Sequence, residues 1–215
     1  MNVKNESMLV YAVTDRAWLN GKALEEAVEK AIQGGATFIQ LREKQLSYEA
    51  FLDQAWKIKK VTEQYHVPFV INDNVEIALA VDADGVHVGQ KDMQAGMVRQ
   101  KLGENKIIGV SVQTVEQALS AEKNGADYLG VGAVFSTSTK LDASEVSFET
   151  LQNICRAVSI PVVAIGGIGT SNIAKLKNSG IDGVAVISAI FAQKDIQKAT
   201  QELAALCKEI LKKPF

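Results

Sequence analysis

The sequence has few cysteines, no long apolar run and almost no net charge, and each shortage excludes a class of protein. Its 215 residues include only Cys155 and Cys207, too few for a disulfide framework or a cysteine-based metal cluster. No stretch of about 18 apolar residues occurs, so no transmembrane helix is expected. The polar start at 1–7 lacks the apolar segment of a secretory signal. The net charge of -2 argues against a dedicated nucleic-acid binder. We therefore predict a cytoplasmic protein with no nucleic-acid or membrane partner.

Short apolar runs alternate with amphipathic segments along the chain. Runs rich in valine and isoleucine predict strands buried on both faces, near 8–13, 37–42, 69–71, 85–88, 107–111, 128–132, 161–165 and 183–187. Apolar residues at helical spacing predict helices between them, most clearly at 22–33, 48–64, 114–123 and 195–211. Such alternation implies a parallel sheet with right-handed crossovers. We predict an α/β fold, a single (β/α)8 TIM barrel domain over 1–215, with a doubly wound open sheet as the alternative.

Polar side chains and glycines follow the predicted strands at their carboxyl ends. In strand order they are Thr14-Asp15, Gln40 to Lys44, Asn72-Asp73, Gly89 to Asp92, Ser111, Thr137 to Lys140, Gly166-Gly167 and Ser188. Barrels carry their active sites at these ends. A purely structural domain would spread its polar residues over both ends, so the one-sided arrangement predicts a ligand site.

The second predicted strand ends in a basic and amide-bearing segment. Side chains alternate along a strand, so Gln40, Arg42 and Lys44 share one direction. If that direction is the barrel mouth, Arg42 and Lys44 need an anionic partner there. We predict a phosphate or pyrophosphate, which suits the guanidinium fork of arginine. A structural ion pair with an aspartate or glutamate is the alternative.

Two acids, Asp73 and Asp92, follow neighbouring predicted strands. Mg²⁺ prefers few carboxylates together with phosphate oxygens and waters, so the pair predicts a magnesium site. The alternative is that each caps the helix that follows it.

A long predicted connection, 133–147, carries Thr137, Thr139 and Lys140. A loop of this length on a small domain is typical of a lid or a binding loop, and hydroxyls and a lysine suit phosphate oxygens. The alternative is an ordinary solvated surface loop.

Glycines and a serine end the last two predicted strands. Gly166-Gly167 and Ile187-Ser188 stand where barrels often bind phosphate through backbone N–H groups. His87, inside the fourth strand, is predicted to be a core histidine with satisfied hydrogen bonds.

Several of these segments occur together in one order and spacing. They are Tyr11-x-x-Thr14-Asp15, Gln40-Leu41-Arg42-Glu43-Lys44, Ile71-Asn72-Asp73, Ala83-Asp84-Gly85-Val86-His87-x-Gly89-Gln90-x-Asp92, Ala126-Asp127-Tyr128-x-Gly130-x-Gly132, Thr137-x-Thr139-Lys140 and Ala164-Ile165-Gly166-Gly167-Ile168. With them the chain resembles the thiamine phosphate synthase family over nearly its whole length. The resemblance implies a transferase, often a homodimer, that uses Mg²⁺. Its expected reaction joins 4-amino-5-hydroxymethyl-2-methylpyrimidine diphosphate to 4-methyl-5-(2-phosphoethyl)thiazole by a dissociative displacement, which gives thiamine phosphate and pyrophosphate.

The resemblance also implies roles for matched residues. It implies that Mg²⁺ is held by Asp73 and Asp92. It implies that the pyrimidine diphosphate is bound by Gln40, Arg42, Lys44, Asn72, Ser111 and Lys140. It implies that the thiazole phosphate is bound by Thr137, Thr139, Gly167, Ile187 and Ser188. The residues expected to be catalytic are Arg42, Lys44, Ser111 and Lys140.

Two other functions compete with this one. A related barrel, thiazole tautomerase, needs an acid/base histidine shortly after the fifth strand, where this sequence reads Ser111-Val112-Gln113. The second is a non-catalytic sensor of phosphorylated ligands, against which the acids Asp73 and Asp92 argue.

Overall fold

Strands alternate with helices as the hydrophobic pattern predicts, in a computed structural model that describes residues 4–19, 21–90, 92–136 and 145–211. The strands are β1 (Val10–Val13), β2 (Phe38–Leu41), β3 (Phe69–Asn72), β4 (Gly85–Val88), β5 (Ile107–Val112), β6 (Tyr128–Val131), β7 (Val162–Ile165) and β8 (Gly183–Val186). Within the described residues, these strands pair in parallel in sequence order, and β8 pairs with β1 to close a barrel. The barrel prediction is confirmed, and the open-sheet alternative is wrong.

Helices surround the barrel. They are α1 (Leu24–Gln33), α2 (Tyr48–Gln64), α3 (Val75–Ala80), α4 (Ala95–Leu102), α5 (Val115–Lys123), α6 (Phe148–Ala157), α7 (Ser188–Phe191) and α8 (Ile196–Ile210). Thr114 and Asp195 cap α5 and α8, because the side chain of each accepts a backbone N–H in the first turn of its helix. None of the helices in the described ranges is long and apolar enough to cross a membrane.

The segment after β7 differs from the regular pattern. There the chain forms only a 3-10 turn, Ile173–Leu176, where the repeating pattern predicts an α-helix. Asn172 explains the difference, because its side chain accepts the N–H of Gly169 and donates to the carbonyl of Gly167. Local bonds of this kind compete with a helical ladder. Asn178 then turns the chain with a φ of 63°.

The barrel interior is packed by aromatic as well as aliphatic side chains. Tyr11, Phe38 and Tyr128 are buried there, and their rings meet edge to face with centroids 4.7 to 5.8 Å apart. A larger apolar layer lies between the strands and the helices. The interior therefore holds two phenol hydroxyls that need partners, which becomes important at the site.

The amino ends of the strands are tied together by a repeated device. A polar residue just before each even-numbered strand accepts the N–H of a residue at the start of the preceding strand. The acceptor and donor pairs are Thr37 and Val10 at 3.0 Å, Asp84 and Phe69 at 2.8 Å, Asp127 and Ile108 at 2.8 Å, and Asp182 and Val162 at 2.9 Å. We call this end of the barrel, with Thr37, Asp84, Asp127 and Asp182, the amino rim. Buried N–H groups demand such acceptors, so these side chains stabilise the fold.

Candidate active site

The opposite end of the barrel, formed by the residues that directly follow the strands, carries most of the predicted site residues that the structure describes. We call it the carboxyl rim, and among the described residues it comprises 14–15, 42–44, 73, 89–90, 92, 132–136, 166–167 and 187–188. Because the barrel is closed and parallel, residues far apart in the sequence become neighbours there.

Asp73 is the centre of the most connected group on this rim. Its Oδ2 accepts hydrogen bonds from Lys44 Nζ and from Asn72 Nδ2, each at 2.6 Å. Its backbone has a φ of 61°, and its N–H donates to the carbonyl of His87 on β4. A left-handed φ is uncommon outside glycine, asparagine and aspartate, so the backbone conformation suits this residue. The turn aims the carboxylate at the neighbouring loop.

Asp92 stands beside Asp73. Its Oδ2 accepts the N–H of Gly89 at 2.7 Å. Partial burial and the adjacent Asp73 carboxylate, with which it shares a hydrogen bond, raise the pKa of Asp92 above its ordinary value. Two acids this close repel one another unless a proton or a cation lies between them.

The capping alternative for these acids is wrong. Asn74 caps α3 through its own side chain, and Gln94 is the residue that precedes α4. Neither carboxylate is therefore used as a helix cap. Among the described residues no cluster of three or more metal-ligating side chains occurs. An adjacent carboxylate pair on an open rim still fits Mg²⁺, which completes its shell with waters and phosphate oxygens rather than protein groups.

Arg42 is held in place from β1. The backbone N–H of Arg42 donates to Thr14 Oγ1 at 3.0 Å, just after β1. One guanidinium nitrogen of Arg42 lies 3.6 Å from Asp15 Oδ2. Arg42 thus has the acidic neighbour that the structural alternative requires, and so does Lys44. These ion pairs are accessible to solvent, however, because the Arg42 and Lys44 side chains are 24% and 52% exposed. Solvent-exposed pairs contribute little stability, so these cations remain available to an anion.

Gln40 and Ser111 reach the site from inside the barrel. The Gln40 side chain is buried and donates to Tyr11 Oη. Ser111 Oγ lies 2.8 Å from His87 Nε2, and His87 Nδ1 lies 2.9 Å from Tyr128 Oη. His87 is thus a core histidine with a partner on each ring nitrogen, as the sequence predicts.

Three of the residues predicted to bind the thiazole phosphate are described, and they follow β7 and β8. Gly167 is exposed with a φ of 63°, and a side chain there would collide with the backbone of Ser136. Ile187 is half-buried, and Ser188 is exposed at the start of α7. Thr137, Thr139 and Lys140 lie outside the described residues.

Sequence reasoning did not assign roles to three residues that support the site. Asp15 faces Arg42, while Tyr11 and Tyr128 join Gln40 to His87. A tyrosine inside a run of valines is a signal of a buried hydroxyl that needs a partner, because phenol groups are costly to bury alone. That signal does not say which partner is reached.

The chain is similar to known proteins over nearly its whole length. A family model described as thiamine monophosphate synthase matches residues 10–190. The thiamine-phosphate synthase of Clostridium tetani is 52% identical over 209 residues, which cover 97% of this chain and 100% of that protein. The thiamine-phosphate synthase of Ruminiclostridium cellulolyticum is 57% identical over 194 residues, or 90% of this chain and 92% of that protein. The solved structure of a thiamine phosphate pyrophosphorylase from Pyrococcus furiosus superposes with a TM-score of 0.89 at 42% identity, and covers 97% of this chain and 99% of its own. The chain belongs to the thiamine monophosphate synthase family.

Proposed function

We propose that this chain is a transferase that joins 4-amino-5-hydroxymethyl-2-methylpyrimidine diphosphate to 4-methyl-5-(2-phosphoethyl)thiazole, giving thiamine phosphate and pyrophosphate. The observation that carries this proposal is the Asp73 and Asp92 pair, with Lys44 and Asn72 bonded to Asp73. Relatives at about half identity, named thiamine-phosphate synthase, support the same reaction.

The leaving diphosphate sets the main demand on the protein. In our proposal Asp73 and Asp92 hold Mg²⁺, which supplies charge neutralisation for the diphosphate when bound. Arg42 and Lys44 exchange their acidic neighbours for diphosphate oxygens, and Asn72 and Ser111 donate hydrogen bonds to the same group. Fixed donors aimed at a developing negative charge lower the barrier, because they need no reorganisation during the reaction.

The bond-breaking step needs no protein base. The carbon that loses the diphosphate is attached to an electron-rich aminopyrimidine, which stabilises positive charge there. The thiazole nitrogen is already a free nucleophile. We therefore propose a dissociative displacement, in which Gln40 helps to orient the pyrimidine and the thiazole is held by its phosphate. Gly167, Ile187 and Ser188 are the described residues proposed for that phosphate. Thr137 and Thr139 for the same phosphate, and Lys140 for the diphosphate, remain predictions.

One assay tests the reaction. Both substrates are mixed with the purified chain, with Mg²⁺ and with a chelator, and thiamine phosphate and pyrophosphate are measured. We expect equal amounts of the two products, formed only with Mg²⁺ and both substrates. Products formed at the same rate in the chelator contradict the magnesium assignment, and no product under any condition contradicts the function.

The competing functions are tested in parallel. Tautomerase activity would appear as conversion of a thiazole carboxylate phosphate without the pyrimidine substrate. The described structure offers no histidine at the end of β5, and His87 is engaged on both ring nitrogens. A sensor would bind the pyrimidine diphosphate without turning it over.

Three further properties remain proposals. We propose one domain over 1–215, a cytoplasmic location, and a homodimer. The homodimer is proposed from the family resemblance. Light scattering of the purified chain gives the mass that tests it.

A further inference from the structure

We propose that a one-directional series of hydrogen bonds through the barrel interior fixes Ser111 as a hydrogen-bond donor toward the diphosphate. The series, which we call the interior relay, consists of Gln40, Tyr11, Tyr128, His87 and Ser111. Tyr11, Tyr128 and His87 are positioning residues in this proposal, because they act through Gln40 and Ser111. The target of Ser111 rests on the proposed function, whereas the direction of the relay does not.

The relay is continuous and shielded from water. Gln40 Nε2 donates to Tyr11 Oη, and Tyr11 Oη lies 2.7 Å from Tyr128 Oη. The next steps are 2.9 Å to His87 Nδ1 and 2.8 Å from His87 Nε2 to Ser111 Oγ. Gln40, Tyr11, Tyr128 and His87 are 5% exposed or less. Because these side chains are buried, each must find its hydrogen-bond partner in a neighbouring member of the relay and not in bulk water.

The first link sets the direction. An amide nitrogen donates and does not accept, so Tyr11 Oη is the acceptor from Gln40. The single proton of Tyr11 then has one remaining neighbour in the relay, Tyr128 Oη. Burial raises the pKa of both phenols, so each keeps its proton.

The same rule carries the direction to the site. Tyr128 accepts from Tyr11 and donates its one proton to His87 Nδ1. A neutral imidazole that accepts at Nδ1 carries its proton on Nε2, so His87 donates to Ser111 Oγ. Ser111 therefore points its own proton away from His87. Diphosphate oxygens only accept hydrogen bonds, and a serine held in this way is prepared to donate to one.

The sequence makes room for this series. A Cβ at Gly109 would overlap the Tyr128 ring, and a Cβ at Gly130 would lie 3.2 Å from the His87 ring. Barrel interiors are usually filled with branched aliphatic side chains. Here Gly109 on β5 and Gly130 on β6 leave space for the rings of Tyr128 and His87. A barrel interior that served only for packing would not need polar rings.

The tautomer of His87 tests the direction without any substrate. The chain contains only two histidines, and His66 is exposed with a φ of 54°. ¹⁵N NMR of histidine-labelled protein is therefore simple to assign with His66→Asn, because asparagine tolerates that backbone conformation. We expect His87 to be protonated at Nε2 and bare at Nδ1. Protonation at Nδ1 in the wild type overturns the proposal.

Reversing the first link should reverse the last. Burial raises the pKa of a carboxyl group at position 40, so Gln40→Glu is examined at a pH high enough to ionise it. The carboxylate then accepts from Tyr11, the later hydrogen bonds reverse, and His87 Nδ1 gains a proton. Gln33→Glu is the matched control, because Gln33 also donates to a tyrosine, Tyr65, at 2.9 Å outside the relay. We expect no change at His87 in the control. An unprotonated His87 Nδ1 in a folded Gln40→Glu protein overturns the proposal. If that variant does not fold, Tyr11→Phe interrupts the relay at its second member.

Kinetics then test what the relay does for the reaction. In Tyr128→Phe the relay is cut without loss of the ring, and no proposed substrate contact is removed. We expect kcat/KM for the pyrimidine diphosphate to fall by about 10- to 100-fold, the range for one hydrogen bond to a charged group. KM for the thiazole phosphate should stay within about twofold. The control, Tyr65→Phe, should match the wild type.

The outcomes separate the two proposals. Wild-type kinetics in folded Tyr128→Phe contradict a positioning role, and equal losses for both substrates indicate a merely structural one. A chain with the expected His87 tautomer but no synthase activity contradicts the proposed function and leaves the direction of the relay standing.

Discussion

The two ends of the barrel use the same residue types in opposite ways. On the amino rim, charged groups bond the backbone: Asp127 accepts the N–H of Ile108, and Arg99 donates to three carbonyls as well as to Asp127. On the carboxyl rim, the Lys44 and Arg42 side chains pair, among the described residues, with the side-chain carboxylates of Asp73 and Asp15.

The difference lies in what each partner can do. A backbone carbonyl or N–H at a strand end cannot leave without opening the barrel, so amino-rim bonds contribute to stability. A side-chain ion pair on an open surface is easily exchanged for another anion or cation. We therefore expect substitutions on the amino rim to change the free energy of unfolding, and substitutions on the carboxyl rim to change turnover.

The largest effect is expected at Asp92. In Asp92→Asn one of two magnesium ligands is weakened, and several kcal/mol of charge stabilisation correspond to a loss in kcat of about a thousandfold. Unfolding should change by less than about 0.5 kcal/mol, since a charge repulsion with Asp73 is also removed. Turnover in a Mg²⁺ titration is the measurement, and an unchanged titration curve refutes the assignment.

The amino-rim counterpart is Asp127→Ala. This change leaves the N–H of Ile108 without its acceptor and Arg99, whose side chain is 15% exposed, without its carboxylate. We expect a loss of about 3 kcal/mol in the free energy of unfolding, as for other buried pairs that lose one partner. Denaturant unfolding measures it, and turnover per folded molecule should be unchanged. An Asp127→Ala variant that is stable but inactive would contradict the assignment of stability to the amino rim and turnover to the carboxyl rim.

A smaller effect is expected in Lys44→Met. The variant keeps most of the side-chain length but cannot bind the diphosphate, so kcat/KM for the pyrimidine substrate should fall by about 10- to 100-fold. Stability should change little because the ion pair with Asp73 is half exposed. Steady-state kinetics with each substrate varied in turn provide the test, and a loss confined to the thiazole phosphate argues against this role.

The smallest effect is expected in Thr37→Val. Valine has the same shape but cannot accept the N–H of Val10 or donate to its carbonyl, which Thr37 Oγ does at 3.0 and 3.2 Å. We expect a loss of about 1 kcal/mol in the free energy of unfolding, with normal kinetics. No change in unfolding would show that this member of the amino-rim set is not a stabilising contact.

The strands and most helices could be predicted from the sequence because their hydrophobic periods are local. The predicted ranges 85–88 and 48–64 match β4 and α2 residue for residue. The 3-10 turn after β7 could not be predicted so well. The Asn172 side chain forms hydrogen bonds with the backbone of Gly167 and Gly169, and these bonds compete with an α-helix.

The site is predictable to a different extent. Strand ends converge in any closed parallel barrel, so Lys44, Asn72 and Asp73 could be grouped before their contacts were known. The contact between Tyr11 and Tyr128 spans 117 positions, and no local pattern encodes it. The left-handed backbone at Asp73 also depends on a distant contact, the hydrogen bond from its N–H to the carbonyl of His87 on β4. With this turn, Asn74 and not Asp73 caps α3.

Binding of pyrophosphate, the proposed product, is the most direct test of how the two rims differ. Calorimetric titration of the wild type should show binding with Mg²⁺ and little or none in a chelator. Binding should be lost in Asp92→Asn and retained in folded Asp127→Ala. Equal binding with and without Mg²⁺, or full binding by Asp92→Asn, would contradict the assignment of the carboxyl rim as a magnesium and diphosphate site.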